Sequence, residues 1–139
     1  IMFAGSASAF DPEDLQKLKN NNACKSCDLS GANLAGTDLA LADLTSASLD
    51  GAILLEANLS AANLTGASLW LANLTDANLM DVNLAGADLV DVNLRGANLE
   101  DVSLYKADLT GADLGSAIVM DIILCNTTMP DGSVNDSGC

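Results

Sequence analysis

The sequence predicts an all-β solenoid, because the chain repeats every five residues from Cys27 to Asn126. Twenty units fill this stretch, and the third residue of each unit, called position i below, is leucine in nineteen units and Val119 in the other. A period of five residues is neither the helical period nor the strand period. A coil of short extended sides joined by corners is the structure that such a repeat favours.

Each position of the unit has a predicted place in the coil. Positions i−2 and i lie on the same side of an extended segment, so both point inward. Position i−1 is Asn, Asp or Ser in seventeen units, and these side chains can bind the backbone at the bend. The corner falls at position i+2, where glycine tolerates a positive φ. The glycines at this position are Gly31, Gly36, Gly51, Gly66, Gly86, Gly96 and Gly111.

Residues 27–126 resemble the pentapeptide-repeat family, whose pattern is A(D/N)LXX. The resemblance implies a right-handed quadrilateral parallel β-helix with four units in each coil. Twenty units then make about five coils, and residue n lies beneath residue n+20. The family resemblance, rather than the five-residue period itself, gives the number of units per coil.

The flanking segments are predicted from their local patterns. Residues 1–10 are interpreted as a leader remnant, the alternative being a flexible tail. Residues 11–26 form an N-terminal helical cap whose helix spans about 12–20, with Asp11 as N-cap and Pro12 in the first turn. Residues 127–139 form a C-terminal tail, which we expect to cover Ile118 and Ile123; contact with a second molecule is the alternative.

Composition excludes several classes of function. The 139 residues carry a net charge of −14, which disfavours nucleic-acid and anionic membrane partners, and no apolar run is long enough for a membrane helix. There is no histidine, so the commonest general base and metal ligand is missing. A core of stacked leucines is also expected to leave no interior cavity. The sequence therefore predicts a non-enzymatic protein without a cofactor.

Four cysteines allow three complete pairings. The favoured one joins Cys24 to Cys27 and Cys125 to Cys139, since each pair lies at one end of the repeat array. A redox-active CKSC motif and a structural zinc site are the alternatives. Two structural disulfides are typical of an exported, oxidising location.

Stacking at twenty residues predicts an acidic column formed by Asp81, Asp101 and Asp121 with Glu100 beside them. Like charges at this spacing repel each other. Either solvent screens the acidic column or a cation such as Ca²⁺, or a basic partner, binds there.

A second candidate surface contains Trp70, Leu71 and Val90, which are large apolar residues at outward positions. We call it the Trp70 patch. A partly shielded aromatic residue without a role is the alternative interpretation.

Three functions are compatible with these features. The first is a structural or protein-binding module of an exported compartment, as a monomer or weak dimer with an unidentified protein partner. The resemblance to exported cyanobacterial and thylakoid-lumen members implies the periplasm or the thylakoid lumen. The second is a DNA mimic acting on DNA gyrase, as some family members are. The third is an acidic scaffold that responds to divalent cations.

Overall fold

A computed structural model describes residues 10–139, and the five-residue repeat organises most of them. Regular elements are short: helix α1 spans Pro12–Asn21, strand β1 spans Thr127–Thr128 and strand β2 spans Val134–Asn135. Apart from Phe10, the predicted leader remnant lies outside the described residues. The remainder of the fold is a ladder of single backbone bridges between these elements.

The bridges join residues that are twenty positions apart. Eighteen isolated parallel bridges run from the Ala23–Asp43 pair to the Asp108–Thr128 pair, and every one has this spacing. One rung consists of Ser48 N–H donating to the Cys27 carbonyl at 2.8 Å, while Leu29 N–H donates to the Ser48 carbonyl at 2.8 Å. Twenty residues correspond to four units, so the predicted stacking of residue n on residue n+20 is confirmed.

The corners explain why no long strand forms. Every i+2 position from 31 to 126 has a positive φ, between 51° and 72°. At most corners the N–H of the next unit closes the turn, as Ala32 N does on the Leu29 carbonyl at 3.0 Å. The seven glycines lie at these corners as predicted. Thirteen corners carry other residues: Leu41, Ser46, Glu56, Ala61, Leu71, Asp76, Asp81, Asp91, Asp101, Lys106, Ser116, Asp121 and Asn126.

The Asn and Asp side chains at position i−1 hold the backbone at the bend, as predicted. In each of their fourteen units the side-chain Oδ1 accepts a hydrogen bond from the N–H of position i+1, at 2.9 to 3.1 Å. This N–H has no partner in the ladder. The side chain therefore satisfies a donor that the coil would otherwise leave to solvent.

The core is a stack of position-i leucines that is open at its C-terminal end. Every position-i leucine from Leu29 to Leu109 is buried, together with nearly all of the small residues at position i−2. In the last coil Leu114 and Leu124 are only partly buried, and Val119 is 45% exposed. The inward position predicted for Val119 is therefore not a buried one, because no further coil packs above it.

Helix α1 lies against the first coil. The Asp11 side chain caps it by accepting from Glu13 N at 2.9 Å, and Asn22 ends it in the left-handed conformation. Leu18 is buried in the core, while Phe10 and Leu15 pack against it. The helix predicted over about 12–20 is present and one residue longer.

The tail after Asn126 pairs with the coil below and then with itself. Thr127 is fully buried, and its Oγ1 donates to the Leu104 carbonyl at 2.6 Å. Strands β1 and β2 then form an antiparallel hairpin, and Gly138 N donates to the Leu124 carbonyl at 2.7 Å. Leu109 N and Gly111 N also donate to the Thr128 and Pro130 carbonyls, so the tail lies along the side of the coil formed by residues 107–111.

The prediction that the tail covers Ile118 and Ile123 is wrong. These two side chains remain 48% and 47% exposed. The hairpin is held near Leu124, so it does not extend across the sides of the coil on which the isoleucines lie. Within residues 10–139, no helix has the length and apolarity needed to cross a bilayer.

Candidate interaction surfaces

Both favoured disulfides are present. Cys24 is bonded to Cys27 and Cys125 to Cys139, which leaves no free cysteine in the described part of the chain. The first disulfide lies at the junction of helix α1 and the first coil, where the Asp14 carboxylate also accepts from Asp28 N at 2.8 Å. The second ties the hairpin to the last coil. Each disulfide thus braces one end of the solenoid.

The disulfides also determine whether the cysteines can bind a metal ion. Within residues 10–139, the one group of three metal-ligand atoms that lie within 4.8 Å of each other comes from Asp14, Cys24 and Cys27. Both cysteines of this group are in a disulfide, so neither supplies a thiolate. A zinc site built from the four cysteines is therefore not formed.

The Trp70 patch is contiguous in the structure. Leu71 N donates to the Val90 carbonyl at 3.1 Å, which places Val90 directly beside the pair in the next coil. Trp70 is 47% exposed and Leu71 is 50% exposed, while Val90 is partly buried. Beneath them, the Asp50 carboxylate accepts from Trp70 N at 3.1 Å and from the Ser68 hydroxyl. The coil below therefore fixes the backbone that carries the tryptophan.

The acidic column forms at one corner of successive coils. Asp81, Asp101 and Asp121 all adopt a positive φ, of 60°, 58° and 53°, and all three are exposed. Glu100 lies beside them, since Asp81 N donates to its carbonyl at 3.0 Å. Their carboxylates do not converge into a group of three within 4.8 Å. The column is thus a line of separate charges, and cation binding by it stays a prediction.

Few basic groups neutralise this surface. Among residues 10–139 the structure has one ion pair, between Arg95 and Asp113 at 3.5 Å, and both side chains are about half exposed. Hydrogen bonds tune some carboxylates instead: the Thr45 hydroxyl and then the Thr45 N–H lower the pKa of Asp43, and Ser133 lowers the pKa of Asp131 in the same way. The surface is therefore strongly acidic and mostly solvated.

The open end of the core forms a third surface, which we call the C-terminal face. It consists of residues 112–124, and Ile118, Val119, Met120 and Ile123 are exposed on it. A cavity of about 50 Å³ opens there. The side chains that line this cavity at the last two coils include Leu104, Leu109, Leu114, Val119, Leu124 and Met129.

The prediction of a core without a cavity is wrong at this end. Every side chain that lines the cavity is aliphatic or methionine. The cavity has no nucleophile, acid or base, so the arrangement suits apolar contact rather than chemistry. Sequence reasoning identified Ile118 but missed Val119, Met120 and the cavity, because the repeat assigns Val119 to the interior. The available signal was that the five-residue repeat ends at Asn126, so that no further unit covers the last coil.

The sequence model for pentapeptide repeats matches residues 24–60, 52–79 and 77–115, with eight copies. No curated protein matches the chain at a significant level.

Among solved structures, the chain is similar to a pentapeptide repeat protein from the cyanobacterium Cyanothece 51142, with 32% identity over 79% of this chain and 92% of that chain and a TM-score of 0.48. It is also similar to one from the Arabidopsis thaliana thylakoid lumen, with 29% identity over 84% of this chain and 71% of that chain and a TM-score of 0.39. The plasmid-mediated fluoroquinolone resistance protein QnrB1, in a trypsin-treated form, is 17% identical over 81% of both chains, with a TM-score of 0.46.

Proposed function

The chain belongs to the pentapeptide-repeat family, and on that premise we propose that it is a non-enzymatic, protein-binding scaffold of an exported compartment. The family fold is a right-handed β-helical solenoid. We further propose that the coil is four-sided and that helix α1 is its N-terminal cap. Burial of Leu18, together with complete burial of the first-coil Leu29, supports the capping role.

The observation that carries the binding function is the Trp70 patch. Two large apolar side chains, Trp70 and Leu71, are half exposed on a backbone that hydrogen bonds fix from the coils below and above. Tryptophan is enriched among the residues that contribute most to protein–protein binding. A preorganised backbone lowers the entropy lost on association. The Trp70 patch is therefore the proposed contact with the protein partner.

The experiment uses a matched pair of aromatic variants. Trp70→Ala and Tyr105→Ala each remove an exposed aromatic residue from an i+1 position, but on different sides of the coil. The purified, disulfide-intact protein is incubated with an extract of the source organism, and captured proteins are identified and titrated individually. A partner whose affinity falls at least tenfold with Trp70→Ala, while Tyr105→Ala binds as the wild type does, supports the proposal. Equal binding by all three proteins rejects the Trp70 patch.

Location in the periplasm or thylakoid lumen is supported by the two disulfides, since cytosolic proteins seldom keep such bonds. Thiol trapping in intact cells of the source organism tests it. We expect all four cysteines to resist alkylation until a reductant is added. Alkylation of the native protein without a reductant would instead indicate a reducing compartment.

A DNA mimic that acts on gyrase is the second candidate, and the net charge of −14 on a repeating surface is the observation that favours it. A DNA gyrase supercoiling assay with an excess of the protein tests this candidate. Inhibition or protection of gyrase would support this candidate, and unchanged supercoiling would exclude it.

The third candidate is a scaffold that responds to divalent cations, and the acidic column is the observation that favours it. We expect millimolar Ca²⁺ to raise the melting temperature of the wild type and to raise it less in Asp101→Asn. Asp91→Asn is the control, because Asp91 is an equivalent exposed corner residue outside the column. Equal shifts in both variants would show that the column does not hold the ion.

A further inference from the structure

We infer that the cavity at the C-terminal face binds the end of a linear alkyl chain that carries an uncharged oxygen head group, as an aliphatic alcohol does. The cavity is a pit that runs into the core from the open end. Its lining includes Leu84, Leu104 and Leu124, which are twenty residues apart and so come from three successive coils. At about 4.8 Å from coil to coil, the pit is about 10 Å deep.

The size and lining of the cavity select a chain rather than a ring. Its volume is about 50 Å³, well below the ~150 Å³ of an apolar cavity that holds benzene. Every lining side chain is aliphatic or methionine, so a polar group would lose its hydration there without gaining a hydrogen bond. An unbranched alkyl chain is narrow, long and apolar, and it fits this space.

The mouth of the cavity offers hydrogen-bond donors to a head group. In the coil below, Leu99 N donates to the Ile118 carbonyl at 2.8 Å, in the direction of the open end. One coil later, the equivalent N–H groups are those of Leu114 and Val119, whose side chains line the cavity. Among residues 10–139 neither N–H has an acceptor. An oxygen at the end of the alkyl chain would satisfy them.

The charge around the mouth favours an uncharged head group over a carboxylate. Asp113 and Asp121 are exposed in the last coil, and the whole chain has a net charge of −14. The Arg95 guanidinium lies against Gly115 of the same coil, but it is paired with Asp113 at 3.5 Å. A fatty-acid anion would therefore be repelled, whereas a hydroxyl oxygen can accept from the N–H groups without that repulsion.

An NMR titration at neutral pH with butanol, hexanol, octanol and octanoate tests the inference. We expect saturable binding of the alcohols, with an affinity that rises about fifteenfold from butanol to hexanol as two more methylenes are buried. Octanoate should bind at least tenfold more weakly than octanol. The methyl signals of Leu84 and Leu104 and the amide signals of Leu114 and Val119 should shift together, because the tail and the head group occupy opposite ends of one site.

Two phenylalanine variants distinguish the cavity from the apolar surface around it. Val119→Phe places a ring at the mouth of the cavity and should weaken hexanol binding at least tenfold. Ile118→Phe adds the same ring at the neighbouring residue, which does not line the cavity, and should bind hexanol as the wild type does. The two side chains are 45% and 48% exposed, so both rings can point outward and the melting temperatures should stay equal.

Each part of the inference can fail separately. The absence of a saturable shift with every alcohol overturns it. So does hexanol binding that Val119→Phe leaves unchanged or that both variants weaken equally, since the ligand would then lie on the exposed surface. If Val119→Phe melts early, the wild-type methyl signals of Leu84 and Leu104 decide, and signals that hexanol leaves unshifted overturn the site. Octanoate that binds as tightly as octanol overturns the uncharged head group.

Discussion

Truncation of a leucine to alanine should lower the free energy of unfolding by different amounts in the first, a middle and the last coil of the solenoid. Leu29, Leu64 and Leu124 all occupy position i, in the first, a middle and the last coil respectively. Leu29 and Leu64 are completely buried, but Leu124 is partly exposed beside the cavity. Mutation of each to alanine removes the same atoms. The loss of stability should therefore depend on how completely the neighbouring coils or helix α1 enclose the site.

The magnitudes follow from burial. Truncation of a fully enclosed leucine costs about 3 kcal/mol, since the lost transfer free energy is added to the cost of the new cavity. For a chain of this length, that corresponds to a fall in melting temperature of about 10 °C. Leu124→Ala loses only part of the burial and enlarges a space that is already open, so its cost is about 1 kcal/mol.

Calorimetry gives the melting temperatures, and native-state amide exchange shows whether an end coil opens before the rest. The decisive comparison is between the two ends. If Leu29→Ala costs as little as Leu124→Ala, helix α1 does not enclose the first coil and the proposed cap is refuted. If Leu124→Ala costs as much as Leu64→Ala, the C-terminal end is covered in solution, contrary to the exposure of Val119.

Two further predictions concern corners and carboxylates. Gly86→Ala should cost about 1 kcal/mol, because its φ is +68° but a new Cβ meets nothing within 4 Å. Gly96→Ala should cost more, since its Cβ would overlap the Asp76 carboxylate, and thermal melts compare the two. Thr45→Val should raise the pKa of Asp43 toward its ordinary 3.8, because the hydroxyl that lowers the pKa is lost. In the wild type this hydrogen bond favours folding above pH 3.8 and is lost as pH falls through the lower folded-state pKa; a carboxylate NMR titration with an unchanged pKa would contradict this cause.

Much of the fold could be predicted because every five-residue unit has the same residue pattern and therefore adopts the same local structure. The inward direction of Leu64, the corner at Gly66 and the hydrogen bond from Thr65 N to Asn63 Oδ1 all follow from one pattern. The twenty-residue spacing was not predictable from that pattern, since a five-residue unit does not state how many sides close a coil. It came from the family resemblance.

The ends of the solenoid were harder to predict than its middle. In the last coil, a position-i residue is buried only if further chain packs above it. That chain is the C-terminal tail, whose sequence does not follow the repeat. The sequence of the tail suggested a cover for Ile118, but the Cys125–Cys139 bond and the β1–β2 hairpin hold the tail near Leu124 and along residues 107–111. Leu29 is buried and Val119 is exposed although both carry the same inward assignment. The difference lies entirely in what flanks the first and last coils.

Each position of the five-residue unit has a different structural role, and these roles indicate which positions can carry functional residues. Positions i and i−2 fill the core, position i−1 binds the bend, and position i+2 must accept a positive φ. Position i+1 has no fixed role in folding, so its side chains can vary without loss of the coil. In the column of i+1 residues that contains Trp70 and Val90, the chain replaces the polar Ser30 and Asp50 by large apolar groups. Since folding does not require that replacement, it supports the proposed contact of the Trp70 patch with a protein partner.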